Sequence, residues 1–189
     1  MLGESHGIAE TASAILTLVR ALGIRSLALE WSFDEVGELV RGAVATGRFD
    51  LDTLWEIPAG GDLFSGDGRF AAGLVRVLEH LVQAGELEDI VPIDRLDQEP
   101  PLEVDREVDM AGRLLEQLRP DAPMLAVVGS SHAGRQPFDG VEPMFVHLER
   151  GLPGLANGVL EHPARPVDRS HDALFRLPRE TPAVVPVKS

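Results

Sequence analysis

Short apolar runs alternate with amphipathic segments along this chain, and that alternation constrains its fold more than any other feature. Residues 8–22 (IAETASAILTLVRAL) carry apolar side chains at helical spacing, and Gly23 follows as a C-cap. Ser26–Glu30 (SLALE) is a short apolar run ending in a carboxylate and reads as a buried strand. Residues 34–46 read as helix, and a loop rich in glycine and aspartate (PAGGDLFSGDGR) leads to an amphipathic helix over 69–84, ended by Gly85. Asp89–Asp94 (DIVPID) reads as a strand despite Pro92, and residues 104–119 as a helix closed by Pro120. Pro123–Gly129 (PMLAVVG) is the strongest strand signal. Pro143–Leu148 (PMFVHL) and Ala173–Leu177 complete the expected strands. The expectation is one α/β domain over 1–178 with a mainly parallel sheet, and a Pro-rich tail over 179–189.

Composition narrows the function. The 189 residues suffice for one domain with a real core, and 44% hydrophobic against 25% charged residues is ordinary for a soluble globular protein. No run approaches the ~18–20 apolar residues of a membrane span, and no basic segment precedes an apolar one as in a signal peptide, so a cytoplasmic location is expected. Without cysteine there is no disulfide, thiolate metal site or thiol nucleophile. The net charge of −14 disfavours nucleic acid and anionic lipid, leaving a small-molecule or peptide substrate as the expected partner.

In open α/β sheets, ligands bind beyond the carboxyl ends of the strands. Gly3-Glu4-Ser5-His6-Gly7 precedes the first helix, Glu30 and Asp94 end two strands, and Gly129-Ser130-Ser131-His132 ends the best one. In a parallel sheet Glu4, His6, Glu30 and His132 face one rim. Imidazoles and carboxylates together hold a divalent metal, or act as a base and its orienting partner.

These residues carry a resemblance. Gly3-Glu4-Ser5-His6-Gly7, Glu10, the Ala28-Leu29-Glu30 strand end, Arg106-Glu107-Val108-Asp109-Met110-Ala111 and Val127-Val128-Gly129-Ser130-Ser131-His132 stand in order over roughly residues 2 to 134. The series resembles the erythromycin esterase/ChaN/Tiki superfamily. The resemblance implies a hydrolase of an ester or amide bond, with Glu4, His6, Glu30, His132 and Arg106 as catalytic residues. It also implies a possible metal set of His6, Glu30 and His132 for manganese, cobalt, zinc or iron. Haem binding without catalysis is the alternative it implies; with no tyrosine in the chain, the axial ligand would be histidine or methionine. Met1-Leu2 stands where the superfamily has an apolar strand, so either the first strand is missing or the fold manages with one strand fewer, and 189 residues leave little room for a macrolide-binding lid.

A serine hydrolase is a rival reading. Gly129-Ser130-Ser131-His132-Ala133 nearly matches the G-x-S-x-G elbow, with Ser131 as nucleophile and Asp168 and His171 following. Ala133 replaces the second glycine, and Gly134, Pro137, Asp139 and Gly140 predict a loop where the elbow needs a helix. Asp67 and Arg69 are read as part of a turn. His80 on a helix, His147 on a strand, and His162 and His171 in loops are read as structural or solvated.

Overall fold

The computed structural model describes residues 1–56, 68–95, 103–161, 170–177, 179, 181 and 182. Six parallel strands make one sheet in the order β3-β2-β4-β1-β5-β6. They are β1 (Leu2–Glu4), β2 (Ser26–Ser32), β3 (Asp89–Asp94), β4 (Met124–Gly129), β5 (Gly158–Glu161) and β6 (Ala173–Arg176). The helices are α1 (Glu10–Leu22), α2 (Phe33–Thr46), α3 (Leu51–Glu56), α4 (Ala72–Gln83), α5 (Glu103–Gln117), α6 (Ser130–Ala133) and α7 (Met144–Gly151). Among the described residues no helix is long and apolar enough to cross a membrane.

Both faces of the central strands are covered, which explains why β2 and β4 are continuous apolar runs, whereas the edge strand β6 is exposed. All seven residues of β2 are buried, and alternate side chains enter different layers. Leu27, Leu29 and Trp31 join Leu125 and Val127 of β4 against Ile15 and Val19 of α1, Val36 and Val40 of α2, and Leu78 and Leu81 of α4. Ala28 joins Ala126 and Val128 against Met110 and Leu114 of α5 and Met144 and Leu148 of α7. Gly23 closes α1 in the left-handed region (φ 62°), donating its N–H to the Val19 carbonyl. Pro92 is tolerated because β3 is an edge strand.

Several expectations need correction. The first strand is present: Leu2–Glu4 pairs with β4 on one side and β5 on the other, so the Gly-Glu of the motif is itself strand. Residues 143–148 are not a strand but the start of α7, and His147 is therefore helical. Pro143 stands at its N-terminal boundary, and Met144, Phe145 and Leu148 are buried at a helical spacing where a strand needs alternation. Strand β5 and helix α3 lie in stretches to which the sequence assigned neither strand nor helix. Residues 57–67, including Asp67, and 183–189 of the expected tail lie outside the described residues. Arg179 and Thr181 hydrogen-bond the Glu10 carboxylate.

Close approach explains Gly3. A Cβ there would lie 2.9 Å from the Ala133 Cβ and 3.0 Å from the Ser130 Cα, atoms of the β4–α6 turn. Gly3→Ala is expected to lower stability by roughly 1–3 kcal/mol. Gly42, an exposed position inside α2 with nothing within 4 Å of its missing Cβ, gives the opposite result. Gly42→Ala should raise stability by about 0.5–1 kcal/mol. Urea denaturation of both variants checks the pair.

Candidate active site

Because every strand runs the same way, the carboxyl ends of four neighbouring strands meet on one rim, with Asp94 from β3, Glu30 from β2, the β4–α6 turn, and Glu4 from β1. Glu30 is the hub, with only 3% of its surface exposed. Its Oε2 accepts the Gly129 backbone N–H at 2.6 Å and lies 3.5 Å from His6 Nε2. Its Oε1 lies 3.3 Å from His132 Nε2, 2.8 Å from Arg106 Nη2 and 3.0 Å from Arg69 Nη1. The far nitrogens of both imidazoles are held by further carboxylates. His6 Nδ1 bonds Glu4, whose other oxygen accepts the Thr11 hydroxyl at 3.2 Å. His132 Nδ1 bonds Glu107, whose other oxygen accepts the Met144 N–H at 2.6 Å. The result is a row, Glu4–His6–Glu30–His132–Glu107.

Local structure sets each member. Glycine at 129 keeps the centre open, since a Cβ there would lie 3.3 Å from His6 Nε2, 3.3 Å from the His132 ring and 3.4 Å from Glu30 Oε2. The four-residue helix α6 turns His132 back over the end of β4, where the sequence predicted a loop. Arg106 and Glu107, adjacent on α5, divide the work: Arg106 forms a two-pronged pair with Asp94 at 2.9 and 2.7 Å, and Glu107 takes His132. Arg69 reaches Asp94 at 3.1 Å, while its carbonyl accepts the Trp31 indole N–H at 3.1 Å. Trp31 in turn stacks on Phe70 with ring centres 3.9 Å apart.

Thus Glu4, His6, Glu30, His132 and Arg106 are brought together. The sequence reading omitted Glu107, Asp94, Thr11 and Arg69 from the site. Glu107 had a signal, standing beside Arg106 in the Arg-Glu helix start, and Asp94 had one as a strand-terminal carboxylate. The serine elbow is not assembled among the described residues. Ser131 lies within the four-residue helix α6 and non-helical chain follows from Gly134 as expected, while that serine is exposed and both His132 nitrogens face carboxylates instead. Asp168 and His162 lie outside the described residues. His171 Nδ1 is 3.5 Å from Ser170 Oγ, His80 Nε2 is 2.9 Å from Arg20, and His147 Nε2 is 3.6 Å from Glu142.

Burial alone would lower the basicity of His6, but its bonds to Glu30 and Glu4 and their charges outweigh that and raise its pKa to about 10. His132 follows the same balance: burial lowers it, Glu107 and Glu30 raise it, and it ends at about 9. Burial pushes Glu30 up, yet His132, His6 and the Arg69 charge hold its carboxyl well below the usual range.

The donor set does not fit the expected metal at His6, Glu30 and His132. Two guanidinium groups occupy Glu30 Oε1, so a divalent cation there would face two fixed positive charges, and no group of three or more ligands is arranged for a metal among the described residues. Haem fits no better, because the Nε2 atoms that would ligate iron face the Glu30 carboxylate.

These pairs make stability depend on pH. The protonated histidines contribute fully below their unfolded value of 6.5, and the contribution is lost as pH rises through about 9 and 10. The Glu30 contribution is present above its unfolded value of 4.5 and is lost as pH falls through its lowered folded value. Tm should therefore be highest between pH 4.5 and 6.5 and fall toward pH 10. In the His6→Gln/His132→Gln double variant the alkaline fall should shrink, a difference that calorimetry across the range measures.

No protein-family model matches the chain, and no curated protein matches its sequence. Solved structures share its fold. RRSP, a MARTX toxin effector domain from Vibrio vulnificus, is 16% identical with a TM-score of 0.56, over 93% of this chain and 36% of that one. The Pasteurella multocida toxin, whose C-terminal region has a thiol-protease-like catalytic triad, is 14% identical with a TM-score of 0.57, over 93% of this chain and 26% of that one. A bacterial protein toxin is 19% identical with a TM-score of 0.58, over 85% of this chain and 33% of that one. The chain spans about a third of the length of these neighbours. At such identities the likeness is one of fold. It overturns the assignment to the erythromycin esterase/ChaN/Tiki superfamily, because these three neighbours are bacterial toxins or toxin domains.

Proposed function

We propose that this chain is a hydrolase that cleaves an ester or amide bond with water activated at the Glu/His row. One observation carries the reading: two histidines, each with Nδ1 on its own carboxylate, turn their Nε2 atoms toward one buried carboxylate between them. This is the equipment of general acid–base catalysis, in which each properly held proton-transfer group contributes typically ~10²–10⁴-fold. A thiol nucleophile is unavailable, since the chain has no cysteine.

The surroundings of the histidines differ and suggest a division of roles. A hollow of about 20 Å³ beside His6 has Glu4, Thr11, Glu30 and Arg69 on a polar side, which suits a single water, and core residues such as Ile15, Leu29 and Trp31 on an apolar side. A cavity of about 310 Å³ opens beside His132, Arg106 and Glu107, room for a substrate group. In the proposed step neutral His6 takes a proton from water as its oxygen bonds the carbonyl carbon. The bond from that carbon to the leaving oxygen or nitrogen then breaks, and protonated His132 gives its proton to the leaving atom. Arg106 and Arg69 supply fixed positive charge near the developing oxyanion. Solvent resets both protons, and one water is consumed.

The two imidazoles must hold opposite protonation states, and sharing Glu30 they titrate as a pair. With values of about 10 and 9, the singly protonated pair carries its proton mainly on His6, so the step draws on the minor form with the proton on His132, and the rate should rise to an alkaline optimum and fall beyond it. With p-nitrophenyl acetate as the assay substrate, His6→Gln and His132→Gln should each lower kcat by roughly 10²-fold or more. The double variant should lose little more than either single one, because the pair acts as a unit. Ser131→Ala should leave the rate unchanged. Activity that survives both histidine substitutions refutes the reading.

A further inference from the structure

We infer that Phe138 determines specificity, docking an uncharged apolar group of the substrate, an alkyl acyl chain or an aromatic ring, in the cavity beside His132. Phe138 is 65% exposed, the most exposed of the large hydrophobic residues among those described. A lone exposed phenylalanine is unremarkable on most surfaces. This one is held in place. Its N–H donates to the Val141 carbonyl at 3.0 Å, and the Val141 N–H donates back at 2.9 Å, closing a two-residue hairpin. The turn residues Asp139 (φ 49°) and Gly140 (φ 82°) are both left-handed, and Asp139 is the only non-glycine residue with positive φ among those described. Both central residues at positive φ is the tight hairpin turn that best matches strand twist.

The hairpin is also tied to the site. Just beyond it, the Met144 N–H donates at 2.6 Å to Glu107, the carboxylate that holds His132. The cavity of about 310 Å³ has Phe138, Val141 and Pro143 as an apolar wall and His132, Arg106 and Glu107 on its polar side. That volume is at the small end for ligand cavities and suits one acyl chain or one side chain. Arg106 is already paired with Asp94 and Glu30, while Glu107 and Asp139 line the same space. Glu107 and Asp139 offset Arg106 and protonated His132, so the cavity has no surplus positive charge to hold an anionic group. An uncharged apolar occupant satisfies both walls. The placement of this group next to the scissile bond rests on the hydrolase reading; the binding preference does not.

The test separates the two. Neutral amides are titrated by NMR into the whole chain: acetamide, hexanamide and phenylacetamide, the last two representing the alkyl and aromatic sources. The expected result is roughly tenfold or tighter binding of hexanamide, phenylacetamide or both over acetamide. Phe138→Ala should abolish that preference with unchanged Tm, and Phe138→Leu should retain most of it. Equal affinity for the three amides, or a preference that survives in Phe138→Ala, overturns the inference. In parallel, the ratio of kcat/KM for p-nitrophenyl hexanoate over acetate should fall in Phe138→Ala. A Phe138-dependent binding preference without ester hydrolysis supports the inference and refutes the hydrolase. Hydrolysis with the same chain-length ratio in both proteins leaves the hydrolase standing and overturns the role of Phe138.

Discussion

A carboxylate buried where β2 meets the rim holds this site together. Taking an isolated carboxylate out of water costs several kcal/mol even after relaxation, and Glu30 persists as an anion only because donors surround it. Gly129, His6, His132, Arg106 and Arg69 supply them from the β4–α6 turn, the loop after β1, α5 and the segment before α4. Four carboxylates (Glu4, Glu30, Asp94, Glu107) face four groups that carry positive charge (His6, His132, Arg69, Arg106), so the cluster balances when both histidines are protonated. Removing one proton leaves a net negative charge shared over the row, which is why both imidazoles hold their protons so tightly.

The hydrophobic layers serve that cluster. Trp31 follows Glu30 in β2 and points to the opposite face from it, into the aromatic group formed with Phe49 and Phe70. The same indole holds the Arg69 carbonyl, so packing on that side fixes a guanidinium on the other. Met144 likewise begins α7, fills the second apolar layer and donates its N–H to Glu107. Core and site thus share residues, and a change that loosens either layer reaches the charges at the rim.

The toxin neighbours and this chain share a scaffold, and a scaffold of this kind hosts many chemistries. The thiol-protease-like triad described for the Pasteurella toxin has no counterpart in a chain without cysteine. In this chain a hollow of about 20 Å³ stands beside one histidine and a cavity of about 310 Å³ beside the other.

The sequence by itself determined the α/β class, because short apolar runs such as 124–129, of strand length and bounded by Pro123 and Gly129, fit strands covered on both faces, and the amphipathic segments between them supply the covers. It also pointed to Glu4, His6, Glu30 and His132, since residues at strand ends in a parallel sheet share a rim by symmetry of direction. Tertiary structure decided the rest. The strand at Leu2–Glu4 exists only because β4 and β5 flank it, three residues being too few to signal a strand alone. The helix at 144–151 was hidden because its buried residues are too few to separate the two periodicities. Glu107, Asp94 and Arg69 entered the site through contacts spanning 25 or more residues of chain, or through a shared partner such as Arg106, which no local spacing encodes. The superfamily assignment failed for a related reason: short motifs of glycine, glutamate and histidine carry too little information to fix ancestry, and a fold by itself does not fix an activity.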